Sequence, residues 1–123
     1  MTEEICTPGT LIARIRQGER VSFAMVQQVI NTHYHYRPVE FHNGLGAEKR
    51  INAPGQNEGS CKIFAFAQLH GLNEAETLAL FGDYYWQDVL LNPEGSNHGN
   101  IRQFMRSGWT GIRFLDEPLQ PRR

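Results

Sequence analysis

The sequence has few cysteines, no excess of charge and no long apolar run. Its two cysteines, Cys6 and Cys61, are too few for a disulfide scaffold and lack the paired spacing of a metal site. Its 12 basic and 13 acidic residues nearly cancel, which argues against a nucleic-acid partner because polyanion binding needs a basic excess. No stretch approaches the roughly 20 apolar residues of a membrane helix. We therefore expect neither a nucleic-acid nor a membrane partner.

The N-terminus also lacks the order of a secretory signal. Residues 1–6 are acidic, without a basic segment, an apolar segment and small residues in succession. We therefore expect a soluble protein that the Sec route does not export. A secretion route that recognises an unstructured N-terminus would leave no such mark and stays open.

What is present is sufficient for one core. The chain has 123 residues, 40% of them hydrophobic, with seven Phe, four Tyr and two Trp. That length is close to the commonest domain size. We predict a single domain over residues 1–123, with residues 1–6 and 119–123 as flexible ends.

Capping and stop signals predict about five helices. The helices are expected to begin after the caps Thr7, Ser22, Ser60 and Asn73, the last paired with Glu76, and near Asn100; Gly18, Gly71 and Gly108 are expected stops, and Gly82 a kink or stop. The helix after Ser60 is apolar on nearly every side, which is typical of a central, buried helix.

Strand signals are fewer. Val39 and Phe41 alternate with polar residues, Asn43-Gly44 favours a turn, and residues 49–52 suit a return strand. Residues 111–115 alternate in the same way. The predicted fold class is α+β, with a helix-rich single domain packed with a small two- or three-stranded sheet.

Residues 55–62 are the most unusual segment, because they place Cys61 in the first turn of a helix with Lys62 beside it. The helix dipole, the free N–H groups and the lysine would all lower a thiol pKa. Asn57 and Ser60 add hydrogen-bonding groups suited to an anionic or carbonyl ligand. The alternative, which we favour, is that Ser60 is a cap and Cys61 an inert buried residue.

The histidines do not predict a metal site. His33, His35 and His42 flank one predicted strand, but no established ligand spacing joins them. We predict no metal and no cofactor. Tyr84, Tyr85 and Trp86 form an aromatic cluster, of which Trp86 is the candidate for a partner surface.

Several motifs, in order, resemble the HopJ type III effector family. They are FHNG at 41–44, GQNEGSCKIFAFA at 55–67, FGDYY at 81–85, DVL at 88–90, HGNIRQFM at 98–105 and GWTGI at 108–112. The resemblance covers nearly the whole chain. Family members carry a basic residue where this chain has Trp86, so a charge-based role at that position does not transfer.

The resemblance implies a protein of the bacterial cytoplasm that a type III system delivers into host cells. It implies no enzymatic activity and no catalytic residues. Relatives also occur in bacteria that are not plant pathogens, which keeps a housekeeping, non-secreted role open.

Three hypotheses follow. The first is binding of a small ligand, or of a host or bacterial protein, through a polar pocket at helix N-termini or a surface at residues 84–86; the pocket would comprise Asn43, Asn57, Ser60, Cys61, Lys62, His98 and Asn100. The second is a cysteine-dependent hydrolase or acyl transferase, with Cys61 as nucleophile and His42 or His98 as base. The third is a housekeeping bacterial protein. Binding is favoured over catalysis.

Overall fold

A computed structural model describes residues 7–122, and the expectation for residues 1–6 lies outside this part. Its helices are α1 (Pro8–Arg16), α2 (Phe23–His33), α3 (Glu58–Leu69), α4 (Glu74–Ala79), a π-helix (Tyr84–Val89) and α5 (Gly99–Ser107), with 3₁₀ turns at Gly46–Glu48 and Gly108–Gly111. Its strands are β1 (Tyr34–Tyr36), β2 (Phe41–Asn43), β3 (Arg50–Asn52), β4 (Arg113–Phe114) and β5 (Leu119–Pro121). The predicted α+β class is confirmed.

Three helices begin at the predicted caps. Thr7 and Ser22 each accept a hydrogen bond from a backbone N–H group in the first turn of α1 and α2. Asn73 and Glu76 form a reciprocal capping box at the start of α4. These contacts satisfy N–H groups that a helix cannot pair internally, so the local sequence is sufficient to place these helix starts.

The predicted start of α3 is wrong. The helix begins at Glu58, its cap is Asn57, and Ser60 is the third residue of the first turn. Asn57 has a left-handed backbone with φ of 52°, a conformation that asparagine tolerates better than most residues. Its side chain hydrogen-bonds to Asn52 rather than to its own helix. The helix thus begins three residues before Cys61, which would be its first residue if Ser60 were the cap.

The strands form two small antiparallel sheets. One has the order β3–β2–β4, and the other pairs β1 with β5. The predicted return strand is confirmed, since β3 pairs with β2 and Phe41 lies opposite Asn52. The turn that follows β2 uses Gly44 at φ of 110°, a value that favours glycine. This sheet holds the start of β3 next to α5.

Residues 119–121 fall in the segment predicted to be a flexible end. They form β5, whose Leu119 lies opposite Tyr36 and is only 1% exposed. Arg122 continues the pairing through a backbone hydrogen bond to the carbonyl of His33. Burial of one leucine, together with ladder hydrogen bonds to a strand more than eighty residues earlier, holds this segment in place.

The core is built around α3, as predicted. The Phe64 side chain is fully buried, and its ring centroid lies 5.0–6.1 Å from those of Phe41, Phe81 and Phe104. Those rings come from β2, the segment after α4, and α5. Ring pairs at these separations add attraction beyond burial alone. The Phe64 side chain therefore packs with rings from three other segments of the domain.

A second contact joins the end of α3 to β1. Tyr34 is buried, and its hydroxyl oxygen lies 2.5 Å from Nε2 of His70. The Tyr34 ring meets Phe66 edge-on. Partial burial disfavours the charged imidazole and lowers the pKa of His70.

We expect Phe64→Ala to lower the free energy of unfolding by about 3–5 kcal/mol, because it empties the centre of the aromatic cluster. Leu69→Ala, on the same helix but at a half-exposed position, should cost about 1 kcal/mol or less. Urea denaturation of both variants measures the difference. Equal losses would contradict the central role of Phe64.

We also expect the free energy of unfolding to fall as the pH drops below about 6.5, the ordinary histidine pKa. The folded protein binds fewer protons at His70 than the unfolded chain, so acid favours unfolding. Urea midpoints between about pH 7.5 and pH 5 should fall less in His70→Gln than in the wild type. His35→Gln, which removes a histidine that lacks the Tyr34 contact, should retain the wild-type dependence. An unchanged pH dependence in His70→Gln would contradict the assignment.

Candidate functional site

An open cleft of about 700 Å³ lies where β3 meets the starts of α3 and α5. Its polar side includes Arg50, Asn52 and the first residues of both helices. Its other side is apolar and aromatic, with Phe23, Phe81 and Tyr84. The volume is within the range of small-molecule sites.

The two helices that reach the cleft begin in the same unusual way. Their caps, Asn57 and His98, have φ of 52° and 54°. No other non-glycine residue within residues 7–122 has a positive φ. A helix cap is ordinarily extended, with its side chain bonded to the first turn. Here neither side chain caps its own helix. Such backbone conformations concentrate at functional sites.

Each cap side chain is used elsewhere. Asn57 Nδ2 donates to Asn52 Oδ1 over 2.7 Å, and His98 Nε2 lies 2.9 Å from Asp88 Oδ2. The backbone N–H groups of residues 58–60 and 99–101 consequently have no hydrogen-bond partner within residues 7–122. Unpaired N–H groups and the helix dipole both favour a negative group at such ends.

Arg50 adds a positive side chain at the same place. A Cβ atom added at Gly99 would lie 2.6 Å from Arg50 Nη1, so the guanidinium packs against the bare backbone at the start of α5. Within the described part of the chain, the Arg50 side chain forms no ion pair or hydrogen bond. A cation beside the positive end of a helix is unfavourable by itself. An anion between them would remove that cost.

Buried amides hold the floor of the cleft. Asn100 Nδ2 donates to Asn52 Oδ1 over 2.9 Å, and Asn43 Nδ2 donates to Asn100 Oδ1 over 3.0 Å. Asn43 and Asn52 are at most 3% exposed. Together with Asn57, these side chains join β2, β3, α3 and α5. Apart from Asn43 Oδ1, which is buried without a hydrogen-bond partner in residues 7–122, the buried amide atoms of this group are paired, which favours a rigid site.

The structure divides the predicted ligand-binding residues. Those that line the cleft are Asn57, Ser60, His98 and Asn100. Asn43 is buried and contributes through Asn100, while Lys62 lies over the ring of Tyr36, 4.7 Å from its centroid. Lys62 is therefore engaged with Tyr36 beside Cys61.

Arg50 and Asn52 line the cleft but were not among the predicted site residues. Arg50 lies opposite Asn43 in the β2–β3 ladder. Strand pairing in the predicted hairpin could therefore have placed Arg50 beside a predicted site residue. The contact between Arg50 and Gly99 joins residues far apart in the sequence, so no local pattern predicts it. Phe23 and Phe81 line the cleft as well and were likewise not among the predicted site residues.

The hypothesis that the helix start and Lys62 lower the Cys61 pKa is wrong, and the favoured alternative, a buried Cys61, agrees with its position in the structure. The side chain is 1% exposed, and burial raises its pKa to about 11, with the Glu58 carboxylate adding to the rise. The hydrogen bond from Tyr36 and the charge of Lys62 oppose the rise and are outweighed. The thiol at neutral pH is thus protonated and enclosed, which makes it a poor nucleophile.

The three candidate catalytic residues are not joined by hydrogen bonds in the described part of the chain. His42 Nε2 lies 2.8 Å from Glu40, His98 binds Asp88, and Cys61 interacts with Tyr36. A thiol–imidazole pair requires direct contact or one intervening water. The arrangement gives the cysteine-enzyme hypothesis no support.

The structure also shows the surroundings of the predicted histidine and aromatic clusters. Within residues 7–122, no group of three or more His, Cys, Asp or Glu side chains could hold a metal ion. Trp86 is half-buried, and the Arg20 guanidinium lies 4.5 Å from its ring centroid. Its role at a partner surface stays a prediction. Tyr84 instead lines the cleft.

Fold and cleft define a small α+β domain with an open, polar and aromatic cavity at two helix starts. The family model described as HopJ type III effector protein matches residues 9–119. The chain belongs to the HopJ type III effector protein family, which confirms the resemblance seen in the motifs.

Similarity extends to a solved structure. The crystal structure of the unknown function protein VPA0580 is 38% identical, has a TM-score of 0.88, and aligns over 99% of this chain and 97% of that one. A search of the curated proteins gave no match. Within residues 7–122, none of the helices has the length and apolar character needed to cross a membrane.

We expect the Cys61 thiol to resist alkylation in the folded protein at about pH 7.5 and to react once urea unfolds the chain, because it is enclosed and protonated. Iodoacetamide labelling followed by peptide mass spectrometry distinguishes Cys61 from Cys6. Rapid labelling of folded Cys61 below about pH 8.5 would restore the nucleophile hypothesis.

Proposed function

We propose that this protein acts by binding a small anionic ligand, a phosphate or carboxylate compound, in the cleft between the starts of α3 and α5. The observation that carries the proposal is the convergence of two uncapped helix N-termini and the unpaired Arg50 side chain on one cavity.

The two helix starts and Arg50 would attract an anion in different ways. The helix starts offer backbone N–H donors and dipole charge. Arg50 offers a planar fork that can contact two oxygens of a phosphate or carboxylate. Because Asn52 already holds the cap of α3 and Asp88 already holds the cap of α5, little ordering would accompany binding, and this preorganisation favours affinity.

Neighbouring carboxylates have partners of their own. Glu58, in the first turn of α3, accepts a hydrogen bond from the Tyr36 hydroxyl over 3.1 Å. Asp88 accepts from His98. These contacts reduce the competition of both carboxylates for the positive groups of the cleft.

Membership of an effector family supports a wider proposal: the protein is made in the bacterial cytoplasm, delivered by a type III system, and exerts its effect in the host through this binding site. Binding is preferred to catalysis because Cys61 is enclosed and contacts neither His42 nor His98 through a hydrogen bond in residues 7–122. A housekeeping role in the bacterium would use the same cleft.

We expect Arg50→Gln to weaken binding of inorganic phosphate about tenfold, because a charge-assisted contact is lost. Titration followed by amide NMR signals gives the affinity, and shifts at Gly59, Ser60, Gly99 and Asn100 would locate it. Lys49→Gln is the matched control, since it removes the same charge from the adjacent exposed residue outside the cleft lining. Equal weakening in both variants, or shifts elsewhere, would contradict the proposal.

A further inference from the structure

We infer that the ligand carries a planar ring beside its anionic group, and that the ring packs on an aromatic wall formed by Phe23, Tyr84 and His98. This inference rests on the proposed anion site and specifies what else its ligand contains.

The three rings form one continuous surface on the cleft. The Tyr84 centroid lies 4.8 Å from that of Phe23 and 4.8 Å from that of His98, and the latter pair is nearly parallel at 28°. All three residues line the cavity. Tyr84 is 41% exposed and also lines a neighbouring cavity with Arg20 and Asp83. An organised group of rings therefore borders the cleft.

Local structure fixes this wall in place. Gly82, at φ of 62°, ends the segment after α4 and leads into the π-helix that carries Tyr84 and Asp88. Asp88 holds the imidazole of His98 through their hydrogen bond. A π-helix is rare and is found frequently at functional sites.

The wall touches both anion-binding ends. A Cβ atom added at Gly59 would lie 2.7 Å from the Phe23 ring, so that ring packs against the first turn of α3. His98 is itself the cap of α5. A ligand with its anionic group at the helix starts would thus have its next atoms beside the rings. A ligand ring attached to the anionic group directly, or through a few bonds, would then lie beside the aromatic wall.

Cavity size leads to the same conclusion. The cleft of about 700 Å³ is far larger than an inorganic anion needs, given that one water takes about 30 Å³ in the liquid. Aromatic side chains in such a cleft gain most from flat partners, whose faces or edges they can pack against. The shared chemistry is a ring-bearing phosphate or carboxylate.

The test compares two matched probe pairs on the full chain: inorganic phosphate with phenyl phosphate, and acetate with benzoate. Within each pair the ring-bearing probe should bind about tenfold tighter, by calorimetry or NMR titration. The pair with the higher affinity identifies phosphate or carboxylate as the anionic group. Equal affinities within both pairs would overturn the inference while leaving the anion site intact. Absence of binding by all four probes would overturn both.

Variants at Tyr84 connect the ring effect to the wall. Tyr84→Leu should reduce the ratio of the two affinities in the better pair to near one, whereas Tyr84→Phe, which keeps the ring, should retain the wild-type ratio. Thermal unfolding checks that both variants fold. An undiminished ratio in Tyr84→Leu would overturn the inference. So would an equal loss for both probes, since Tyr84 would then serve only to support His98.

Discussion

The arrangement of the cleft depends on buried amide-to-amide hydrogen bonds. Asn52 accepts from Asn57 and Asn100, and Asn43 donates to Asn100. These bonds connect a small sheet to the starts of two helices. An unsatisfied buried amide costs about 1–3 kcal/mol, so each member depends on the others. They also turn the Asn57 side chain away from its own helix, which leaves the N–H groups of α3 open.

Core and cleft have separate physical origins that meet at α3. Its apolar side chains, with Phe64 at the centre, hold the helix by burial. Its first turn faces a cavity that folding leaves unfilled. Cys61 belongs to the first of these regions, although its position in the sequence pointed to the second.

Much of the fold was predictable from local sequence. The caps at Thr7, Ser22 and Asn73 act within one turn, so their residues alone predict helix starts. The apolar surface of α3 and the return strand β3 were likewise visible as patterns. Part of the site was predictable too, because Asn57, Ser60, His98 and Asn100 are polar residues near helix starts.

Local sequence was enough to predict the fold class, most helix boundaries and the family, since these depend on neighbouring residues and on motif order. Contacts in the folded chain were needed to show that Cys61 is enclosed, that Arg50 meets Gly99, and that residues 119–121 pair with β1. Each of those facts depends on contacts between segments distant in sequence. A thiol pKa, an unpaired guanidinium and an aromatic wall are properties of what surrounds a side chain, and the surroundings exist only once the chain has folded.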